Sequence, residues 1–203
     1  NKCSECDFVQ LNTVVSPEII YRDYIYVTTS SLGLVNHFKG YSEDVMQRIA
    51  PQKGALVVDV GSNDGTLLKF FKENGMRVLG IDPAKEISRT TSEAGIETLT
   101  AFFTSKLGEQ LRQERGPAAI VTANNVYSHA DDLGDLTDGI RNLLAPDGVF
   151  VFEVIYMIDM IEKPLFDTIY HEHLCYHTIK PLNSFLERHG LELIDIQRVP
   201  VKG

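Results

Sequence analysis

Residues 56–65 read LVVDVGSNDG, and the acidic residue that answers them is Asp82 in VLGIDP. Leu56, Val57, Val58 and Val60 are apolar and mostly β-branched, and a short run of this kind ended by a glycine turn is a strand buried on both faces. Thr66–Glu73 then sets Leu67, Leu68, Phe70 and Phe71 among lysines, the pattern of a helix that starts directly out of the turn. Strand, turn and helix N-terminus leave backbone N–H groups facing the space beyond the carboxyl end of the sheet. Val78–Ile81 is the next strand, and Asp82 closes it 17 residues after Gly65. A carboxylate at the tip of the second strand is where nucleotide-binding α/β folds hold ribose hydroxyls.

The glycine spacing bears on the ligand. A dinucleotide fingerprint, G-x-G-x-x-G, lets backbone approach a pyrophosphate. Here the turn is Asp59-x-Gly61-x-Asn63-Asp64-Gly65, with Asn where the middle glycine would stand. Its two carboxylates would repel a diphosphate but suit a ligand with a cationic end. S-adenosylmethionine, with its ammonium and sulfonium, is therefore expected ahead of a nicotinamide or flavin. Asp59, Gly61, Asn63, Asp64, Gly65 and Asp82 are the candidate cofactor residues.

With 203 residues, 43% of them apolar, the chain can build one full domain and a small addition. A net charge of −9 and a pI near 5.1 argue against a general nucleic-acid or anionic-membrane face. No run approaches the ~20 apolar residues of a membrane span, and the start shows no signal peptide. A cytoplasmic monomer is expected. Cys3 and Cys6 form one Cys-x-x-Cys, half of the usual structural zinc set. Cys175 stands apart as a reduced, buried thiol. Residues 1–12 read as the remnant of a zinc-binding module, 13–50 as a helical lead-in able to cover a cleft, and 51–203 as the cofactor-binding domain.

Within the lead-in, Ser16-Pro17 is a helix start and residues 34–49 a second helix. From residue 55 strands and helices alternate, which implies a parallel sheet with right-handed crossovers. Strands are expected near 56–60, 77–81, 96–99, 119–123, 148–154 and 192–197, and helices near 65–74, 84–94, 104–115, 132–144 and 180–189. Asn124, Asn125 and His129 follow the fourth of these strands and Phe102 and Phe103 the third, so topology places them at the cleft. The phenylalanines could stack on adenine or belong to the core.

The densest polar stretch is Tyr170-His171-Glu172-His173 with Tyr176 and His177. Maintaining it requires pairing or exposure. Metal binding by His171, His173 and His177 is one option, but the i, i+4 spacing of H-E-x-x-H is absent. Acid–base chemistry fits better, because an imidazole titrates near neutrality and a nearby carboxylate can orient it.

Asp59–Thr66, Ala123-Asn-Asn-Val126 with His129, and Tyr170-His-Glu-His173 together resemble the sugar C-methyltransferases that act on nucleotide-linked 4-keto-deoxyhexoses. Cys3-x-x-Cys6 resembles the last ligand pair of that family's zinc module, and Tyr24-Ile-Tyr26-Val-Thr-Thr-Ser30 its aromatic–serine motif. The resemblance implies a Rossmann-like class I methyltransferase sheet with S-adenosylmethionine as donor, structural zinc, and a nucleotide-sugar ketone as acceptor. It implies His173 as general base, supported by Tyr170 and Glu172, with His129 and Tyr24 or Tyr26 holding the sugar. Folds of this class finish with an antiparallel seventh strand beside the fifth, which this sequence barely begins, and the family's C-terminal domain does not follow.

Overall fold

In a computed structural model, which describes residues 1–199, the chain builds a five-stranded sheet flanked by helices. The lead-in carries α1 (Pro17–Tyr21), a single helical turn at Thr28–Ser30, and α2 (Leu34–Ile49), after a two-residue strand β1 (Val9–Gln10). Strand β2 (Leu56–Val60) and helix α3 (Thr66–Glu73) follow, then β3 (Arg77–Asp82), α4 (Lys85–Glu93), β4 (Thr98–Thr100) and α5 (Ser105–Arg115). The rest comprises β5 (Ala118–Thr122), α6 (Leu133–Leu143), β6 (Leu144–Val151), α7 (Met157–Glu162), β7 (Cys175–Tyr176) and α8 (Ile179–Arg188).

The sheet order is β4-β3-β2-β5-β6, every pairing parallel. All five residues of β2 are buried, as expected of the central strand. Alternation along the strands divides the core in two. Val57 and Ile120 meet Leu34, Phe38, Leu67, Leu68 and Phe71 from α2 and α3. Val58 and Val121 face the opposite way, onto Leu111, Leu136, Ile140 and Leu143 of α5 and α6. The chain reverses direction of travel across the sheet between β2 and β5, so the turn after β2 and the loop after β5 flank the crevice in which such sheets take ligands.

One expectation is corrected. Residues 191–199 form no strand. Glu192 and Asp195 would fall on opposite faces of a strand, so neither face is wholly apolar, and among the described residues the sheet ends at β6. The first dozen residues are joined to the rest of the fold. β1 pairs antiparallel with β7, Val9 opposite Tyr176 and Gln10 opposite Cys175, and Leu11 N–H extends the contact to Leu174 O at 2.8 Å.

Candidate active site

The turn after β2 is shaped by its glycines. Gly61 has φ +71°, and a Cβ there would lie 2.2 Å from Val126 Cγ2, so the loop that follows β5 presses against bare backbone. Gly61 N–H donates to Ile81 O at 2.7 Å and closes the turn onto β3. Asp82, 7% exposed, accepts the Asn63 N–H on Oδ2 and the Ala84 N–H on Oδ1, each at 2.9 Å. Burial raises its pKa, and those two N–H donors oppose the rise. Asp59 is deeper, tied across to β5 by Thr122 Oγ1 at 2.6 Å, and burial pushes its carboxyl up to about 7.

The side chains of Asn63 and Asp64 are engaged by the lead-in. Asn63 Oδ1 accepts from Thr28 N at 2.8 Å and Thr28 Oγ1 at 3.3 Å, and its Nδ2 donates to Tyr26 O at 2.8 Å. Asp64 Oδ2 accepts from Thr29 N at 2.9 Å, while Oδ1 holds the Thr66 hydroxyl at 2.6 Å. The turn thus satisfies its own N–H groups on Ile81, Asp82, Asn63 and Ser62, and uses these side chains to strap residues 26–29 in place. Of the two phenylalanines, Phe103 packs with the core under α5 and α6. Of the two alternatives the sequence left open for it, this contact is the core one. Phe102 stays at the surface, the Arg22 guanidinium 4.9 Å above its ring.

Across the crevice, the loop from Pro164 to Leu174 brings rings together. His173 stacks on His129 with centroids 5.2 Å apart and lies 4.3 Å from Tyr170. His173 Nδ1 is 2.7 Å from Thr168 O. A carbonyl can only accept, so Nδ1 carries the proton and Nε2 keeps its lone pair. Burial lowers the His173 pKa, against smaller upward pulls from that carbonyl and from Glu172. Glu172 Oε2 accepts from the Tyr24 hydroxyl at 3.2 Å, and the Tyr26 hydroxyl meets Ser31 Oγ at 2.8 Å. Asn125, His129, Val154, Ile155 and His173 line one small cavity. The Asn124 amide is buried next to Asn125 in the chain and lies by the Tyr41 hydroxyl.

His177 does not join this group. It is 2% exposed, 3.4 Å from Cys175 Sγ, with its ring against Tyr127 and Phe8. Burial drives its pKa down to about 4. Among the described residues no three His, Cys, Asp or Glu side chains gather as a metal site, and Cys3 and Cys6 are free thiols near the surface. Two cysteines supply half of a tetrahedral zinc set, so these residues do not hold zinc by themselves.

Two site features escape sequence reasoning. His37 on α2 pairs with Glu153, just beyond β6, at 2.6 Å. The spacing of His37 with Leu34 and Phe38 on the buried face was the available signal. Tyr21 stacks on His129, centroids 5.7 Å apart and planes 12° from parallel. Nothing in the residue order singles it out from Tyr24 and Tyr26.

The crevice suits S-adenosylmethionine in kind, with a glycine turn after β2 and a buried carboxylate at the tip of β3. Sheet order, turn and strand tip together define a class I, S-adenosylmethionine-dependent methyltransferase fold. The chain belongs to the methyltransferase-domain family, whose model matches residues 36–196. It is 34% identical to C-methyltransferase NovU of Streptomyces niveus over 201 residues, 99% of this chain and 48% of that protein. It is 27% identical to a ubiquinone biosynthesis O-methyltransferase of Ralstonia nicotianae over 115 residues, 56% of this chain and 48% of that one. The chain therefore spans about half the length of these two relatives. Among solved structures, the Burkholderia thailandensis 1,6-didemethyltoxoflavin-N1-methyltransferase, with S-adenosylhomocysteine bound, superposes with TM-score 0.58 at 21% identity, covering 80% of this chain and 71% of that one. No helix of the described residues is long and apolar enough to cross a membrane.

Proposed function

We propose that the protein transfers a methyl group from S-adenosylmethionine to the ring carbon beside the ketone of a nucleotide-linked deoxysugar. Similarity to NovU, a C-methyltransferase, supports carbon as the acceptor atom. The observation that carries the chemistry is the His173 tautomer. With Nδ1–H held by Thr168 O, the Nε2 lone pair is available to a carbon acid.

When bound, S-adenosylmethionine supplies an electrophilic methyl that needs alignment, not activation. The turn 61–65 and Asp82 would hold the donor, with the Asp82 carboxylate toward its ribose and Phe102 toward its adenine. His173 Nε2 takes the α-proton, and the electron pair of that C–H bond passes to the carbonyl oxygen as an enolate. His129 and a tyrosine hydroxyl stabilise that oxygen. Glu172 offsets the imidazolium charge, and burial of His173 keeps the base neutral at working pH. Zinc at Cys3 and Cys6 would require two more ligands from a second pair.

Incubation of the intact protein with thymidine- or uridine-diphosphate 4-keto-deoxyhexose in D₂O, without donor, should exchange deuterium into the α-carbon, and His173→Ala should slow it by about 10²–10⁴-fold. Exchange unchanged in His173→Ala removes the base. Oxygen methylation, suggested by the similarity to the Ralstonia O-methyltransferase, needs no such exchange, so its absence from wild type with methyl transfer intact would favour that reading.

A further inference from the structure

Three tyrosines of the lead-in form a run of ring contacts, Tyr26 to Tyr24 to Tyr21, that ends on His129, and their hydroxyls differ in what they do. Tyr24 donates to Glu172 Oε2 at 3.2 Å. Tyr26 shares a hydrogen bond with Ser31 Oγ at 2.8 Å. The Tyr21 hydroxyl is buried and has no hydrogen-bond partner among the described residues. Its ring lies parallel to His129, edge-on to Tyr24 at 5.7 Å, and one ring further on is His173. Leaving a buried hydroxyl without a partner is costly, and such a group calls for an explanation, a catalytic role among them.

We infer that Tyr21, not Tyr24 or Tyr26, supplies the phenolic donor to the carbonyl oxygen of the acceptor, and to the enolate oxygen formed from it. The inference rests on the proposed C-methylation. Three features support it. The hydroxyl lies near Glu172, Tyr24 and Tyr170, and burial first, then those neighbours, raise its pKa, so it stays a neutral donor at any working pH. A neutral O–H aimed at developing negative charge gains strength as the proton leaves carbon, which is the differential binding a catalyst needs. Access is also provided for. Helix α1 buries none of its five residues and Ser16 makes no side-chain cap bond, so Tyr21 sits on a turn that can shift as the acceptor enters.

The test compares Tyr21→Phe, Tyr24→Phe and Tyr26→Phe in the intact protein, with the same keto-sugar nucleotides as probes. Tyr21→Phe keeps the ring on His129 and removes only the oxygen. It should lower both α-deuterium exchange and methyl transfer by about 10²–10³-fold, the effect of deleting one oxyanion donor, with donor affinity unchanged. Tyr24→Phe and Tyr26→Phe should lose less than tenfold. Tyr21→Phe within threefold of wild type, or no worse than Tyr24→Phe, overturns the assignment. Tyr21→Leu, added as a second variant, separates ring from oxygen: loss in Leu with none in Phe leaves only a stacking role and also overturns it. A wild type that exchanges while Tyr21→Phe is normal refutes this inference alone, whereas a wild type that neither exchanges nor methylates refutes C-methylation with it.

Discussion

Replacing Asn63 by glycine should release the lead-in without disturbing the sheet. Asn63 stands at φ 49°, a conformation glycine takes freely, so the substitution removes the amide while leaving the backbone unstrained. Lost with it are two bonds to Thr28 and one to the Tyr26 carbonyl, at 2.8, 3.3 and 2.8 Å, and, within the turn itself, the one from Asp64 N–H at 2.9 Å. At about 0.5–1.5 kcal/mol each, with the hydroxyl contact at the weak end, the strap loses about 3 kcal/mol. A tenfold change per ~1.4 kcal/mol makes that about a hundredfold in the opening equilibrium of residues 26–30. Amide hydrogen exchange reads it directly, because the Thr28 N–H has Asn63 Oδ1 as its acceptor. Thr28 should exchange about 10²-fold faster while Val58 and Ile120, buried in the sheet, keep their protection. Protection of Thr28 changed by less than threefold would refute the strap. Protection lost equally at Val58 would show that the turn supports the whole sheet rather than the lead-in.

The remaining predictions concern charge and packing. Gly61→Ala combines left-handed strain of about 1–2 kcal/mol with overpacking against Val126 of about 1–3 kcal/mol, so urea denaturation should show a loss of about 2–5 kcal/mol; adding Val126→Ala should restore about half of it. His177 is neutral in the fold, with its pKa near 4 against an ordinary 6.5. The unfolded chain therefore binds its proton first as pH falls, and stability should drop by about 3 kcal/mol between pH 6.5 and 4; His177→Leu should flatten that fall. Asp59 has the opposite sign, its folded pKa raised to about 7, so its contribution is present at low pH and is lost as pH rises through 7; Asp59→Asn should remove that slope in denaturation curves. In methyl transfer, Glu172→Gln removes an upward pull on His173 and should move the acid limb of kcat/KM to lower pH.

Much of the scaffold was readable from residue order because it is locally encoded. Leu56–Val60 is apolar on both faces, Gly61 and Gly65 take the left-handed backbone that only glycine enters easily, and Asp82 ends a strand whose register with β2 follows from a short crossover. Thr104 and Asp132 cap α5 and α6 with their own side chains, accepting from Leu107 N and Asp135 N. What resisted reading depends on distant partners. Whether Phe102 or Phe103 turns inward is decided by packing under α5 and α6, and both fit the same local pattern. The site tells the same story. His173 and His129 could be named from their neighbours in the chain, but that Tyr21 covers His129, or that His37 meets Glu153 across 116 positions, depends on how the lead-in folds back. Asn63 and Asp64 were recognisable as residues of the turn, yet their side chains serve the lead-in, a use visible only once Thr28 and Thr29 are in place.

The pairing of Val9–Gln10 with Cys175–Tyr176 makes the amino end a mechanical neighbour of His173. Only Leu174 separates His173 from that ladder, so tension, a fusion or a bulky tag applied ahead of Val9 is transmitted along a strand to the imidazole itself. With His173 as the proposed base, a group attached upstream would tune turnover without ever touching the acceptor, and enzyme assays of tagged protein would depend on which end carries the tag.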